Sequence, residues 1–173
     1  MPDYGDPKYW DDRYEKSGKD NTFDWLESFQ SLSGVLDQFL TDKSMRILVL
    51  GCGNAEFSED LYDAGFENVV NIDISSVVID QMNERNKEKR PNMVFQVGDV
   101  TSMPEFEGNS FDMAIDKSTI DALLCGDNSF IMVAKMLKET QRVLKTDGVY
   151  FAISYGRPEA RTFHFNHPFL SWT

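Results

Sequence analysis

The run Arg46-Ile47-Leu48-Val49-Leu50-Gly51-Cys52-Gly53-Asn54-Ala55-Glu56 constrains this chain more than any other stretch. Five mostly apolar, β-prone residues lead into a Gly-x-Gly turn, and a helical pattern follows from Glu56 to Ala64. A buried strand, a tight turn and a helix N-terminus fit that order. Glycine lets the backbone approach a ligand without a Cβ in the way. The free N–H groups of such a turn can meet an anionic or polar group. A dinucleotide site would want a third glycine for close helix–strand packing. That position is Glu56, which weakens a nicotinamide or flavin reading and leaves an ordinary βα turn as the alternative.

The rest of the chain supplies the context. Asn68–Ile74 reads as a second strand ending in Asp73, 22 residues after Gly51. An acid there accepts hydrogen bonds from ribose hydroxyls in βαβ nucleotide folds; its other reading is a turn residue before a helix capped by Ser75 or Ser76 and running to about Asn86. Met93–Val97 is a third strand, followed by Gly98-Asp99-Val100. Asp99 is placed to accept from an adenine amino group and the Val100 N–H to donate to the ring, or else Asp99 is a plain turn carboxylate. Phe111–Lys117 is a fourth strand opening into Ser118-Thr119-Ile120-Asp121-Ala122; Phe130–Leu144 is an amphipathic helix, Thr146-Asp147-Gly148 a turn and Val149–Ile153 a fifth strand. This alternation predicts an α/β fold with a doubly wound, mostly parallel sheet and helices on both faces. Gly51, Asp73, Asp99 and Asp116 all fall at carboxyl strand ends, where such sheets bind ligands.

Residues 1–45 precede the sheet and read as an N-terminal helical lid segment, with 46–173 as the ligand-binding domain; 173 residues suit one structural domain. Asp6 and Pro7 are set to start a short helix through Tyr14, placing Trp10 and Tyr14 on one face. Phe29–Leu40 is amphipathic, with Leu32, Val35, Leu36, Phe39 and Leu40 on one stripe. Trp10, Tyr14 and Trp25 are either an aromatic glue for the N-terminal helix or a lid over a cationic ligand, which aromatic faces favour by ~0.5–2 kcal/mol; both roles are compatible.

An apolar fraction of 41% and an aromatic fraction of 13% indicate a globular chain. The net charge of −12 disfavours nucleic-acid binding through phosphate neutralisation. It suits solubility, a basic protein partner or a cationic substrate. With Cys52 and Cys125 alone there is no CxxC, and both read as reduced thiols of an intracellular, cytoplasmic protein. Met1-Pro2-Asp3-Tyr4 starts no signal peptide and no apolar run spans a bilayer. His164 and His167 lack a completing ligand, so no metal is expected, and the tail Arg161–Trp172 reads as an aromatic docking segment.

Together, Tyr9-Trp10-Asp11-Asp12-Arg13-Tyr14, Phe23-Asp24-Trp25, Leu48–Asn54, Asn71–Ser75 and Asp116-Lys117-Ser118-Thr119-Ile120-Asp121-Ala122 resemble the class I methyltransferases that modify lysines of translation elongation factor 1-alpha. The resemblance runs from about Tyr9 to Trp172. It implies a Rossmann-like fold and S-adenosylmethionine as cofactor. It implies that Trp10, Tyr14, Trp25, Gly51, Gly53, Asp73 with Ile74, Asp99 with Val100, and Lys117 hold that cofactor. An ammonium beside a sulfonium is repelled, so Lys117 is expected to contribute backbone with its side chain turned away. Asp116 is the candidate for orienting the substrate amine, with capping of the following turn as its other role. Where the family has Asp/Glu-Lys-Gly-Thr-Leu-Asp, Ser118 replaces glycine and Ile120 replaces leucine. Family members continue into further strands where this chain stops at Thr173, so C-terminal strands are missing from the pattern. The fifth strand is then an edge covered by the tail, a further segment or a second subunit, with a tendency to self-associate. A small-molecule methyltransferase and a non-catalytic cofactor-binding module remain alternatives. A nucleic-acid adenine methyltransferase is disfavoured by the absence of an Asn/Asp-Pro-Pro-aromatic run and by the acidic charge.

Overall fold

The computed structural model covers Tyr4 and residues 6–172. The start Met1–Tyr4, read as carrying no signal peptide, and the end at Thr173 fall outside these residues apart from Tyr4. The Gly-x-Gly run folds as the pattern predicts: β1 (Ile47–Leu50) is wholly buried, and α3 (Phe57–Asp63) follows the turn. Before it come α1 (Pro7–Ser17) and α2 (Phe29–Leu36). After it come β2 (Val69–Asp73), α4 (Ser76–Asn86), β3 (Val94–Val97) and β4 (Phe111–Lys117). α5 (Thr119–Leu124), α6 (Ser129–Val143), β5 (Leu144–Ile153) and α7 (Pro158–Phe165) complete the chain.

The five strands lie in the order β3-β2-β1-β4-β5, and every pairing is parallel. Leu50 pairs with Ile72 on one side and Asp116 on the other. The carboxyl ends of β1, β2 and β4 therefore finish level. The direction of winding reverses between β1 and β4, which opens the crevice where doubly wound sheets bind ligands. Each face of the sheet is buried, as parallel sheets require. One face carries Ile47, Val49, Val69 and Ile115 against Leu36, Phe57, Leu61, Val78 and Met82. The other carries Leu48, Leu50, Ile72 and Ala114 against Met103, Ile120, Val133, Met136 and Leu137.

Local chemistry explains the helix starts. The Asp6 carboxylate accepts from the Lys8 N–H with Pro7 in the first turn, and Ser28 and Ser75 cap α2 and α4. The boundaries depart from the sequence expectation most clearly in three places. α2 stops at Leu36, not Leu40, because tight turns follow in which Phe39 and Leu40 both donate to the Leu36 carbonyl. Those turns bury Leu40 and swing Phe39 to 5.8 Å from the Phe151 ring. β5 begins directly after α6: Leu144 pairs with Phe111, the register breaks, and pairing resumes at Val149 opposite Met113. The exposed residues Lys145–Asp147 fill that break, where a turn was expected. The segment after β4, read as an opening, forms α5 from Thr119.

β5 is the edge of the sheet, as expected. Its faces are covered within the chain. Tyr150 stacks on Trp172 at 5.9 Å and meets Phe165 at the same distance, so the aromatic tail does dock. Among the described residues no helix is long and apolar enough to cross a membrane.

Candidate active site

Gly51 and Gly53 both adopt left-handed φ, +61° and +54°. A Cβ on Gly51 would collide with Thr119 Oγ1, and one on Gly53 would stand 2.8 Å from the Tyr14 hydroxyl oxygen. The turn is therefore pressed between the start of α5 and α1. Thr119 Oγ1 donates to the Leu50 carbonyl at 2.8 Å, which ties the β4 end to the β1 end.

The Asp73 carboxylate closes the turn from the other side. It accepts from the Gly53 N–H at 2.9 Å and the Ser75 N–H at 3.0 Å. Burial raises its pKa to about 6, against the lowering pull of those backbone donors. Asp11, from α1, accepts from Ser75 Oγ at 2.5 Å, so the N-terminal helix is docked on the loop that carries Asp73. Asp99 lies at the next strand end, exposed, with Oδ1 accepting from the Thr101 N–H and hydroxyl.

These elements enclose a cavity of about 350 Å³. Trp10, Tyr14, Trp25, Gly51, Gly53, Asp73, Ile74, Asp99, Val100 and Lys117 all line it. The structure thus brings together every residue named for the cofactor. The aromatic group is held from inside: Trp10 stacks on Tyr14 at 6.0 Å, and the Arg13 guanidinium lies 5.2 Å from the Trp25 ring, 5.7 Å from Phe23 and 5.9 Å from Trp10. Burial and the Asp73 charge push the Tyr14 phenol pKa up, keeping it a neutral donor. Lys117 points its ammonium into the N-terminal segment, donating to Asp24 Oδ1 and the Trp25 carbonyl.

Asp116 does not line the cavity. Its carboxylate is fully buried, accepting from the Thr119 and Ile120 N–H groups and from the Tyr150 hydroxyl at 2.7 Å. It caps α5, the second of its two expected roles. The direct contact with an amine that the sequence suggested has no geometric support, because the carboxylate is fully buried and turned to the Tyr150 hydroxyl and the α5 N–H groups. Burial raises its pKa to about 6, and it pushes the buried Tyr150 phenol further up. Asp121, unlike Asp116, lines the cavity, as Asp73 and Asp99 do. It accepts from Ser154 Oγ at 2.7 Å, the Tyr155 N–H at 2.9 Å and Arg161 Nη2 at 2.5 Å. These bonds fix the chain after β5 beside the cavity.

Ser118 holds φ +73°, where the resembled family has glycine, and its hydroxyl is buried without a partner. A left-handed non-glycine residue costs ~1–2 kcal/mol. Ser118→Gly is therefore expected to stabilise the protein by ~1 kcal/mol after the added unfolded-state entropy, read as a higher midpoint in urea.

Cys52 and Cys125 are free thiols, and burial pushes the Cys52 pKa well above the usual thiol range. His164 is packed against Phe130 and Phe163, and burial followed by the Arg161 charge lowers its pKa. Among the described residues no three His, Cys, Asp or Glu side chains are grouped to hold a metal.

A parallel sheet with a glycine turn after β1, an acid closing β2 and a cavity at the β1/β4 switch defines the class I methyltransferase type of fold. Residues 41–166 match the sequence model of a family described as "Methyltransferase domain", and the chain belongs to that family. Among curated proteins it is similar to the eEF1A lysine and N-terminal methyltransferase of Bos taurus, 43% identical over 154 residues, covering 88% of this chain and 22% of that protein. It is also similar to EEF1A lysine methyltransferase 4 of Mus musculus, 31% identical over 178 residues, covering 98% of this chain and 69% of that protein. The chain spans about a fifth of the length of the first of these relatives. Among solved structures it is similar to the PH0226 protein from Pyrococcus horikoshii OT3, with a TM-score of 0.62 and 31% identity, covering 72% of this chain and 55% of that one.

Proposed function

We propose that the chain binds S-adenosylmethionine in the cavity and transfers its methyl group to a lysine amine of a protein, elongation factor 1-alpha being the favoured substrate. The observation that carries this is the Gly53 N–H bound to the Asp73 carboxylate, joining the carboxyl ends of β1 and β2 beside the β1/β4 crevice. It sets a close-approach backbone turn and a fixed acceptor side by side. The residues fit the cofactor: a Cβ at Gly51 or Gly53 would meet a neighbour, and aromatic side chains line the same space. Asp73 would accept from the ribose hydroxyls, Asp99 and the Val100 N–H would take the adenine, and Ile74, which lines the same cavity, would help hold the cofactor. Trp10, Tyr14 and Trp25 would supply aromatic faces for the sulfonium, and Lys117 would offer backbone.

When bound, the cofactor supplies an electrophilic methyl that leaves a neutral thioether behind. A lysine amine, with a free pKa of about 10.4, must shed its proton before attack, and an apolar wall favours the neutral form. Ala122 and Leu123 give the cavity such a wall, and Asp121 sits beside them to orient the amine. Asp116 serves by fixing the start of α5. Catalysis comes mainly from this positioning.

The names of the relatives support the protein substrate. The net charge of −12 supports a partner other than nucleic acid, and two free thiols support a reducing, cytoplasmic compartment. Self-association runs through the outer edge of β5, and light scattering at high concentration should show mass above the monomer; a clean monomer would refute it.

The function is tested by calorimetric titration with S-adenosylmethionine and a labelled-methyl assay on elongation factor 1-alpha. Binding with label on lysine is expected. Binding without transfer to the protein points instead to a small-molecule acceptor or a non-catalytic module, and no binding overturns the whole reading.

A further inference from the structure

Residues 18–28 join α1 to α2 without regular structure, yet Phe23, Trp25 and Leu26 line the cavity. Leu26 is held at φ +64° although it is not a glycine, and it is 40% exposed. Such a conformation persists only where its surroundings impose it. Two contacts with the rim of the sheet do so. Asn54, after the glycine turn, donates through Nδ2 to the Asn21 carbonyl at 2.8 Å. Lys117, one residue beyond the Leu50–Asp116 pairing, donates through Nζ to Asp24 Oδ1 at 2.6 Å and to the Trp25 carbonyl at 3.1 Å. The Lys117 side chain is only 8% exposed. A cation at that depth is costly unless paired, and Asp24 is its partner.

We propose that Lys117 and Asp24 are a positioning pair with two effects on the cofactor site. They pin the Trp25–Leu26 stretch as a wall of the cavity, and Asp24 cancels an ammonium that would otherwise oppose a sulfonium. The inference rests on the cavity being the S-adenosylmethionine site.

The pair has a signature that a purely structural contact lacks. S-adenosylmethionine is a sulfonium cation, whereas S-adenosylhomocysteine carries a neutral thioether in its place. Asp24→Asn leaves the ammonium uncompensated, so it weakens both ligands and penalises the cation more. Lys117→Met also loosens the wall but leaves the carboxylate alone, so it weakens both ligands and penalises the cation less. Charges sharing one partly buried site interact strongly enough, even at ~10 Å, for a change of ~5–10-fold in the affinity ratio.

The test is calorimetric titration of the full chain, wild type and both variants, with each of the two ligands. Asp24→Asn is expected to bind S-adenosylhomocysteine ~10-fold more weakly and S-adenosylmethionine weaker by a further ~5-fold. Lys117→Met is expected to shift the ratio the opposite way. Affinities within twofold of wild type, or a ratio that stays fixed or moves the same way in both variants, overturn the pair. Should the Lys117 variant fail to fold, Asp24→Asn decides alone by its ratio, since that carboxylate is on the partly exposed side. Wild-type protein that binds neither ligand refutes the underlying site rather than the pair.

Discussion

Gly51→Ala should lower the unfolding temperature by ~6–12 °C and remove measurable cofactor binding. Three costs add. An alanine at φ +61° is strained by ~1–2 kcal/mol. Its methyl would collide with Thr119 Oγ1 and stand 3.0 Å from Cγ2, an overpacking worth ~1–3 kcal/mol. Moving Thr119 aside breaks its hydrogen bond to the Leu50 carbonyl, ~1 kcal/mol more. The lower end of that sum, ~3 kcal/mol, at 2–4 °C per kcal/mol for a chain of this size, gives the stated shift. Thr119→Ala in the same chain removes the colliding atoms and should recover part of the stability, leaving the backbone strain. A Gly51→Ala protein that melts within 2 °C of wild type would show that the turn is not pressed against α5.

Asp73→Asn should weaken S-adenosylmethionine binding ~10–100-fold at pH 8, the range expected when a charged acceptor is lost. The same group gives the unliganded protein a pH dependence of known sign. The pKa rises from 3.8 to about 6 on folding, so the native state holds this proton more tightly than the unfolded chain. Its stabilising effect is complete below about pH 4 and is lost as pH rises through about 6, amounting to ~3 kcal/mol. Asp116 has a shift of the same sign and adds its own slope. Chemical unfolding at pH 4.5 and pH 7.5 should show a smaller difference for Asp73→Asn than for wild type. Ligand binding runs the other way, weakening as pH falls through 6 and the carboxylate protonates. Equal affinity for the variant and the wild type at pH 8 would remove Asp73 from the site.

The parts legible in the sequence were those with a local cause. Apolar runs ending in Gly51, Asp73, Val97 and Lys117 give strands, because a parallel strand is buried on both faces. Asp6-Pro7 and Ser75 announce helix starts because a cap acts within three residues. The ligand-facing residues could be named because strand ends in a doubly wound sheet share one rim. What stayed hidden depends on partners far away in the chain. Asp11 reaches Ser75 across 64 positions, and Lys117 reaches Asp24 across 93. Nothing in an Asp-Asp-Arg or Phe-Asp-Trp triplet reports such a partner. Arg13 carries no local signal among the aromatic residues, yet it is the cation that those rings hold. The two roles of Asp116 could not be separated either: its position at the β4 end fitted both, and only the Tyr150 hydroxyl and the α5 N–H groups show where the carboxylate turns.

The chain that covers the cavity comes from residues 6–28, whereas the match to the methyltransferase-domain family begins at residue 41. The covering stretch is joined to the rim of the sheet at a few polar rivets: Asp11 to Ser75, Asn54 to Asn21 and Lys117 to Asp24. Change in the cover can retune which molecules gain entry while the buried sheet, and the folding information it carries, stays as it is.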